Sequence, residues 1–321
     1  MTKPHRKALT SEEWAERLAV GERVVLARAI TAVENDRAEA KSVLAAVYGQ
    51  VGRAQVVGVT GAPGVGKSTL LSALVAKYRK ADRKVGVVAV DPSSPISGGA
   101  ILGDRIRMAE HGGDTGVFVR SLAARGHLGG LSRAAARVVD VMDAAGFDIV
   151  IVETVGTGQS EVEIMHIAQS VLVVCAPGLG DDIQAVKAGI LEIADVLIVN
   201  KADMPLADRT ESQLRDAIAL SHREGWQVPV LKTSATTGEG IAELVETVDR
   251  HYAQIEQRDR DQAGRARMRS LIGATASDLL RDRIAGAADP RLDTLCDAVS
   301  RGELDFEEAA AEATRLIAKA L

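Results

Sequence analysis

An α/β fold, a mainly parallel sheet sandwiched by helices, is predicted by three features of the sequence. Short apolar runs rich in β-branched residues alternate with helical segments, a glycine-rich string joins the first of these runs to a helix, and helical periodicity appears on both flanks. Each run is apolar without polar alternation, which is how strands buried on both faces of a helix-covered parallel sheet read.

The elements follow in order. From Ser11 to Tyr48 apolar residues recur at helical spacing (Trp14 and Leu18; Val24, Val25 and Ala29; Val43, Leu44 and Val47), and Gly21 and Asn35-Asp36 interrupt them, so two or three short helices precede the main domain. Strands are expected at Val56 to Thr60, Val85 to Asp91, Val117 to Ser121, Ile149 to Glu153, Val171 to Ala176, Val196 to Asn200 and Val228 to Lys232. Beyond Glu239 the pattern turns helical, with Ile241, Leu244, Val245 and Val248 on one stripe. A densely charged stretch, Arg258 to Arg269, reads as a solvated helix, and apolar helical patterns return at Leu271 to Ile284 and Phe306 to Leu321. The expected organisation is an N-terminal helical extension over residues 1–52, a nucleotide domain over 53–256 and a C-terminal helical arm over 257–321.

Composition narrows the function. The chain has 321 residues, 46% of them hydrophobic and 26% charged, enough for one large α/β domain with helical additions. A formal net charge of −5 gives no whole-chain attraction for nucleic acid or an anionic membrane, so neither is expected as a partner. The two cysteines support neither a disulfide framework nor a cysteine metal site, and Cys175, inside the apolar run Val171 to Ala176, reads as a small buried thiol. The basic stretch Met1 to Leu9 has no apolar segment behind it, and no run approaches the roughly 20 apolar residues of a membrane span. A cytoplasmic or matrix-type compartment is expected.

In an open parallel sheet the ligand lies at the carboxyl ends of the strands, and the informative residues fall there. Gly61-Ala62-Pro63-Gly64-Val65-Gly66-Lys67-Ser68 fits G-x-x-x-x-G-K-[ST] between a predicted strand and the helical pattern Thr69 to Lys80, the signature of a P-loop NTPase. The glycines let backbone N–H groups turn inward around phosphate oxygens, Lys67 neutralises β and γ charge, and the Ser68 hydroxyl suits Mg²⁺. Glu153-Thr154-Val155-Gly156, after the fourth strand, offers an acid for the metal, acting through water where an Asp is more usual, and an N–H at Gly156 for the γ-phosphate. Asp91, in Val90-Asp91-Pro92, is a second acid in reach of the same ligand; by itself it reads equally as a turn or cap residue, and beside a phosphate loop the functional reading is favoured.

Asn200-Lys201-Ala202-Asp203 after the sixth strand selects the base. A carboxylate at Asp203 accepts from both N1–H and the 2-amino group of guanine. Adenine lacks that amino group and carries an acceptor at N1, and a site built to hydrogen-bond a group rejects an analogue without it by roughly 10⁴–10⁵-fold. Ser234-Ala235, in Thr233-Ser234-Ala235-Thr236-Thr237-Gly238, would complete the base pocket through backbone N–H groups. Together these strings imply a Mg²⁺-dependent GTP hydrolase.

Longer strings carry a family resemblance. Asp91-Pro92-Ser93-Ser94-Pro95, the segment Gly98 to Met108, Arg120-Ser121 with Arg125 to Ser132, and Glu153 to Glu161 resemble the MeaB/ArgK-type GTPases, the G-protein chaperones of methylmalonyl-CoA mutase. The resemblance implies that GTP binding and hydrolysis gate adenosylcobalamin delivery to the mutase and protect or rescue it, with a homodimer formed through the C-terminal arm. It implies that Asp91, Asp104 and Glu153 surround Mg²⁺ and the switch regions. It also implies an additional switch over residues 178–187, with Gly178, Asp181, Asp182, Gln184 and the basic Lys187 answering to the mutase.

Read from residues alone, Asp104 beside Arg105 is also a plausible surface ion pair, and His127 a polar packing residue. Three other functions compete. A nickel-handling GTPase would need clustered His and Cys ligands, a small-molecule kinase would leave Asn200 to Asp203 unexplained, and a scaffold would bind nucleotide without releasing phosphate. No Asp-x-His-x-x-Gly string is present, so the corrinoid is assigned to the partner.

Overall fold

Seven strands, each hydrogen-bonded to its neighbours in parallel, build one sheet. The computed structural model describes residues 9–92, 111, 113–124, 130–154, 164–178, 191–219, 225–255, 257–286 and 289–318. It divides into two units, Met1–Arg267 and Met268–Leu321.

The first unit runs α1 (Ser11–Ala19), α2 (Arg23–Glu34), α3 (Ala40–Val47), β1 (Gln55–Thr60), α4 (Lys67–Lys80), β2 (Val85–Pro92), β3 (Val117–Ala124), α5 (Gly130–Ala144), β4 (Ile149–Thr154), β5 (Ser170–Cys175), β6 (Val196–Val199), α6 (Ala207–Ala219), β7 (Val230–Lys232) and α7 (Ile241–Gln254). Helix α8 (Gln257–Gly286) leads into the second unit. The sheet order is β3-β2-β4-β1-β5-β6-β7, so the strand before the glycine-rich string is central. All seven expected strands form, and the parallel arrangement expected for fully apolar runs holds at every pairing. β7 starts two residues late, at Val230, because Pro229 has no N–H to donate to a ladder.

Burial explains why the strands read as continuous apolar runs. β1, β4 and β5 are buried along their whole length. On one face Val57, Val59, Ile149 and Leu172 pack with Leu71, Leu74 and Tyr78 of α4 and with Leu244 and Val248 of α7. On the other face Val171, Val173 and Leu197 pack with Ile164 and with Leu214 of α6. Cys175 is buried there, as its setting in an apolar run implied.

The N-terminal region resolves into three helices, separated near Gly21 and Asn35-Asp36. α1 begins at a capping box, in which the Thr10 hydroxyl accepts from Glu13 N–H and the Glu13 carboxylate accepts from Thr10 N–H. α2 lies against α5, and Arg137 of α5 bonds Asp36 at 2.8 Å while Arg120 of β3 pairs with Glu34. The Asp143 carboxylate of α5 accepts from Arg53 and Ala54 N–H at 3.2 and 3.0 Å, fixing the entry into β1.

In the second unit Leu280 and Ile284 of α8 pack with Leu292 and Leu295 of α9 (Pro290–Ser300) and with Ala313, Leu316 and Ile317 of α10 (Phe306–Ala318). α9 was not expected from periodicity, although Asp289-Pro290 marks its start: Asp289 caps the helix and Pro290 occupies its first turn. Among the described residues no helix is long and apolar enough to cross a membrane.

At the amino ends of β5 and β6, His251 of α7 is nearly buried. Its Nδ1 lies 2.8 Å from the Ser170 hydroxyl, its Nε2 3.5 Å from Asp195, and its ring 4.8 Å from Trp226. Burial pushes the imidazole below its ordinary value, with Asp195 acting in the opposite sense. The fold therefore favours neutral His251, and the unfolded chain takes up the proton first as pH falls. This stabilisation is fully present above about pH 6.5 and declines below it. Urea midpoints measured at pH 7.5 and 5.5 are expected to fall more for the native chain than for His251→Gln; equal losses would exclude this origin.

Candidate functional site

β1 ends at Thr60 and the chain turns at Gly61, beside β5. Gly61 has φ +141°, and a Cβ there would stand 2.1 Å from the Val174 carbonyl oxygen, so only glycine allows the loop to begin this close to its neighbour. The loop closes at Gly66, φ +91°, where a Cβ would meet the Asn200 side-chain nitrogen at 2.6 Å. Between them Pro63 and Gly64 are exposed, Ala62 is half-buried and Val65 is anchored in the core.

α4 begins at Lys67 without any side-chain cap, leaving its first N–H groups directed at the space inside the loop. The Lys67 ammonium donates to the Gly61 and Ala62 carbonyls at 2.6 and 2.9 Å. The Ser68 hydroxyl donates to Glu153 Oε1 at 3.0 Å, and both residues are buried. Thr69, next in the helix, is exposed. Glu153 pairs in register with Val59 of β1 and Ala89 of β2, and Thr154 donates to the Thr60 hydroxyl at 3.0 Å. Asp91 stands near the carboxyl end of β2, in the strand adjacent to that of Glu153.

A second cluster lies at the ends of β6 and β7. Asn200 is buried; its side-chain N–H₂ donates to the Val65 carbonyl at 2.9 Å, and its Oδ1 accepts from the Thr233 hydroxyl at 3.2 Å and Ala235 N–H at 3.3 Å. Lys201, φ +58°, donates from Nζ to the Gly64 carbonyl at 2.8 Å. Ala202 N–H bonds the Thr233 carbonyl. The buried Ser234 hydroxyl donates to Asp203 Oδ1 at 2.9 Å, while Asp203 itself is exposed.

The structure thus brings Gly61 to Thr69, Glu153, Asn200, Lys201, Asp203, Ser234 and Ala235 to one edge of the sheet. Gly178, φ +87°, is exposed just after β5. Asp104, Gly156, Asp181, Asp182, Gln184 and Lys187 lie outside the described residues. Sequence reading missed Thr233 and the Val174 carbonyl; the only signal for Thr233 was its place immediately before Ser234.

The chemistry follows from the donors. An uncapped helix start, a lysine and a glycine loop suit the phosphates of a nucleotide, and a carboxylate held in a fixed direction suits a pair of N–H donors. Among the described residues no group of three or more His, Cys, Asp and Glu could hold a metal. Ser68 and Glu153 nevertheless supply hard oxygen donors at hydrogen-bond distance. That set fits Mg²⁺, which takes one or two protein oxygens and completes its shell with water and substrate phosphate.

Comparison with known proteins agrees with this geometry. Residues 26–289 match the family described as "Methylmalonyl Co-A mutase-associated GTPase MeaB". The chain is 39% identical over 245 residues to the GTPase ArgK of Escherichia coli, covering 73% of this chain and 74% of that protein. It is 34% identical over 278 residues to the mitochondrial methylmalonic aciduria type A homolog of Mus musculus, covering 79% and 67%. Among solved structures, a LAO/AO transport system kinase superposes with a TM-score of 0.72 at 27% identity, covering 97% of this chain and 99% of that one. The fold is that of a P-loop NTPase.

Proposed function

The chain belongs to the MeaB family of GTPases, and from that premise we propose that it is a Mg²⁺-dependent chaperone of adenosylcobalamin-dependent methylmalonyl-CoA mutase. Hydrolysis of GTP would gate cofactor loading and protect or reactivate the mutase. The observation that carries the nucleotide half of this reading is the pair of bonds from Asn200 to Val65 and from Lys201 to Gly64, which lock the base-reading turn to the phosphate loop. The mutase half rests on the family's description and on the name of the mouse relative.

In this reading the residues divide the work. The backbone N–H groups of Gly61, Ala62, Gly64, Val65, Gly66, Lys67, Ser68 and Thr69 would surround the phosphates, with Pro63 shaping the loop without donating, and the Lys67 ammonium would turn from its loop carbonyls to the β and γ oxygens. Ser68 and Glu153, with Asp91 and Asp104, would hold Mg²⁺. When bound, Mg²⁺ would supply neutralisation of phosphate charge there. Glu153 would orient water by accepting a hydrogen bond from it, and Gly156 is assigned the sensing of the γ-phosphate from its place in the sequence after Glu153. Asp203, steadied by Ser234, would take both N–H donors of guanine, and Ala235 N–H would close the pocket by turning from its long 3.3 Å bond to Asn200 Oδ1. The stretch with Gly178, Asp181, Asp182, Gln184 and Lys187 would report the nucleotide state to the mutase.

We assign homodimer formation to the C-terminal helical arm, residues 257–321. Its support is two large apolar side chains seven residues apart on α8, Ile272 and Leu279, exposed by 63% and 60%, a spacing that puts both on one face. Light scattering should give twice the chain mass, and Leu279→Asp should return it to the single-chain mass; a native monomer would refute the assignment.

Asp203→Asn exchanges an acceptor for a donor and removes two hydrogen bonds to a charged group, each worth roughly 1.5–3 kcal/mol. GTP affinity should fall by about 10²–10⁴-fold, with xanthosine triphosphate now preferred. Unchanged selectivity in a competition assay would remove Asp203 from the base pocket.

The mutase is tested by calorimetry with the purified enzyme, comparing GDP with a non-hydrolysable GTP analogue. Binding should depend on the nucleotide, and Lys67→Ala should abolish both GTP turnover and that dependence. Guanine-nucleotide hydrolysis with no mutase binding in either state would leave a GTPase of a different partner.

A further inference from the structure

Beside the base-reading loop lies a second groove, which shares only Ala235 with the proposed base pocket. The space between α4, the loop 235–238 and the first turn of α7 has a volume of about 460 Å³. Its floor is made of small methyl groups, Ala73 and Ala76 among them, and its rim carries Lys77 and Lys80 on one side and the hydroxyls of Thr236 and Thr237 on the other.

Charge decides what such a groove receives. Lys77 and Lys80 are exposed, and among the described residues neither has a carboxylate within ion-pair distance. The arginines around the same helix end are spoken for: Arg79 pairs with Asp114 and Arg83 with Asp249, each at 2.9 Å. Three residues apart on a helix, the two lysines stand about 5–6 Å from each other at Cβ, the reach of neighbouring carboxylates on an extended or helical segment. A chain of net charge −5 does not carry such a pair as part of a general basic surface. The shallow alanine floor accepts a short apolar side chain.

The groove is also wired to the guanine-reading carboxylate. Thr236 Oγ1 lies 3.3 Å from the Ser234 hydroxyl, the same hydroxyl that donates to Asp203 Oδ1 at 2.9 Å. Gly238 N–H bonds the Ser234 carbonyl at 2.9 Å, so the groove wall and the base loop form one closed turn. An occupant that takes the Thr236 hydroxyl withdraws a partner from Ser234 and changes the orientation of Asp203.

We propose that this groove docks an acidic peptide segment of a partner protein, held by Lys77 and Lys80, and that docking speeds guanine nucleotide release through Thr236, Ser234 and Asp203. The proposal rests on Asp203 reading guanine, which the xanthosine exchange tests separately. By linkage, a segment that weakens nucleotide binding is itself bound less tightly by the nucleotide-loaded protein.

The test uses the full chain loaded with fluorescent GDP and a capped peptide of glutamate alternating with alanine and leucine. Saturable acceleration of GDP release by about 5-fold or more is expected, the lower end of ordinary coupling between sites. Lys77→Glu with Lys80→Glu should leave basal release unchanged and abolish the peptide effect. Thr236→Val should still bind labelled peptide by anisotropy yet lose the acceleration. Absence of saturable peptide binding overturns the proposal, as does acceleration that survives the double lysine exchange. If sodium tripolyphosphate produces the lysine-dependent effect and the peptide does not, the groove is a small-anion site and the proposal fails. A chain in which Asp203→Asn leaves guanine preference intact but the peptide still accelerates release would break the wiring and not the docking.

Discussion

The Asn200 side-chain amide holds the site together. Its nitrogen reaches the Val65 carbonyl in the phosphate loop, and its oxygen gathers the Thr233 hydroxyl and the Ala235 amide from the end of β7. Three loops that follow three different strands are thereby fixed against one buried group. A neutral amide suits this task because it donates and accepts at once without the cost of burying a charge. Losing either half would leave a buried donor or acceptor unsatisfied, a penalty of roughly 1–3 kcal/mol for each group.

That junction works only because the sheet beneath it is rigid. β1 lies between β4 and β5, and its two partners deliver Glu153 and the Val174 carbonyl to opposite sides of the glycine loop. α4 runs back from the loop and is pinned by Leu70, Leu71, Leu74 and Val75, so Lys67 and Ser68 are set by the same packing that buries the strands. The helix start carries partial positive charge, and the chain places no acidic side chain in its first turn to cancel it. An anion is the group that this end of the sheet is shaped to receive.

How much of this was legible in the sequence follows from the range over which each feature acts. Strands buried on both faces are continuous apolar runs, so β1 through β6 could be read directly, and Gly21 with Asn35-Asp36 divided the N-terminal helices because such residues break the helical period locally. The residues of the candidate site were legible as strings: Gly61 to Ser68 and Asn200 to Asp203 each compress their chemistry into a few positions. Their cross-links were not. Asn200 and Val65 are 135 positions apart, and nothing in either string specifies that one amide bridges them. Helix α9 was missed for another reason: Leu292 is its one buried residue, so it presents little of an apolar face despite its Asp-Pro start.

Backbone strain gathers on either side of Asp203. Lys201 and Leu206, on either side of Asp203, both have positive φ, 58° and 75°, a region costly for side chains other than glycine and for a branched leucine above all. Such conformations persist where surrounding bonds over-determine them. Lys201 is held by its ammonium on Gly64, Ala202 by the Thr233 carbonyl and Asp203 by Ser234. Each of these partners belongs to the phosphate loop or to the loop after β7, so the turn keeps its shape only while those two loops keep theirs. A disturbance at Thr236 or at Gly64 therefore reaches Asp203 without passing through the hydrophobic core. The position of Asp203 is consequently a property of loop-to-loop hydrogen bonds laid over the sheet, and those bonds can be adjusted at little cost to the fold.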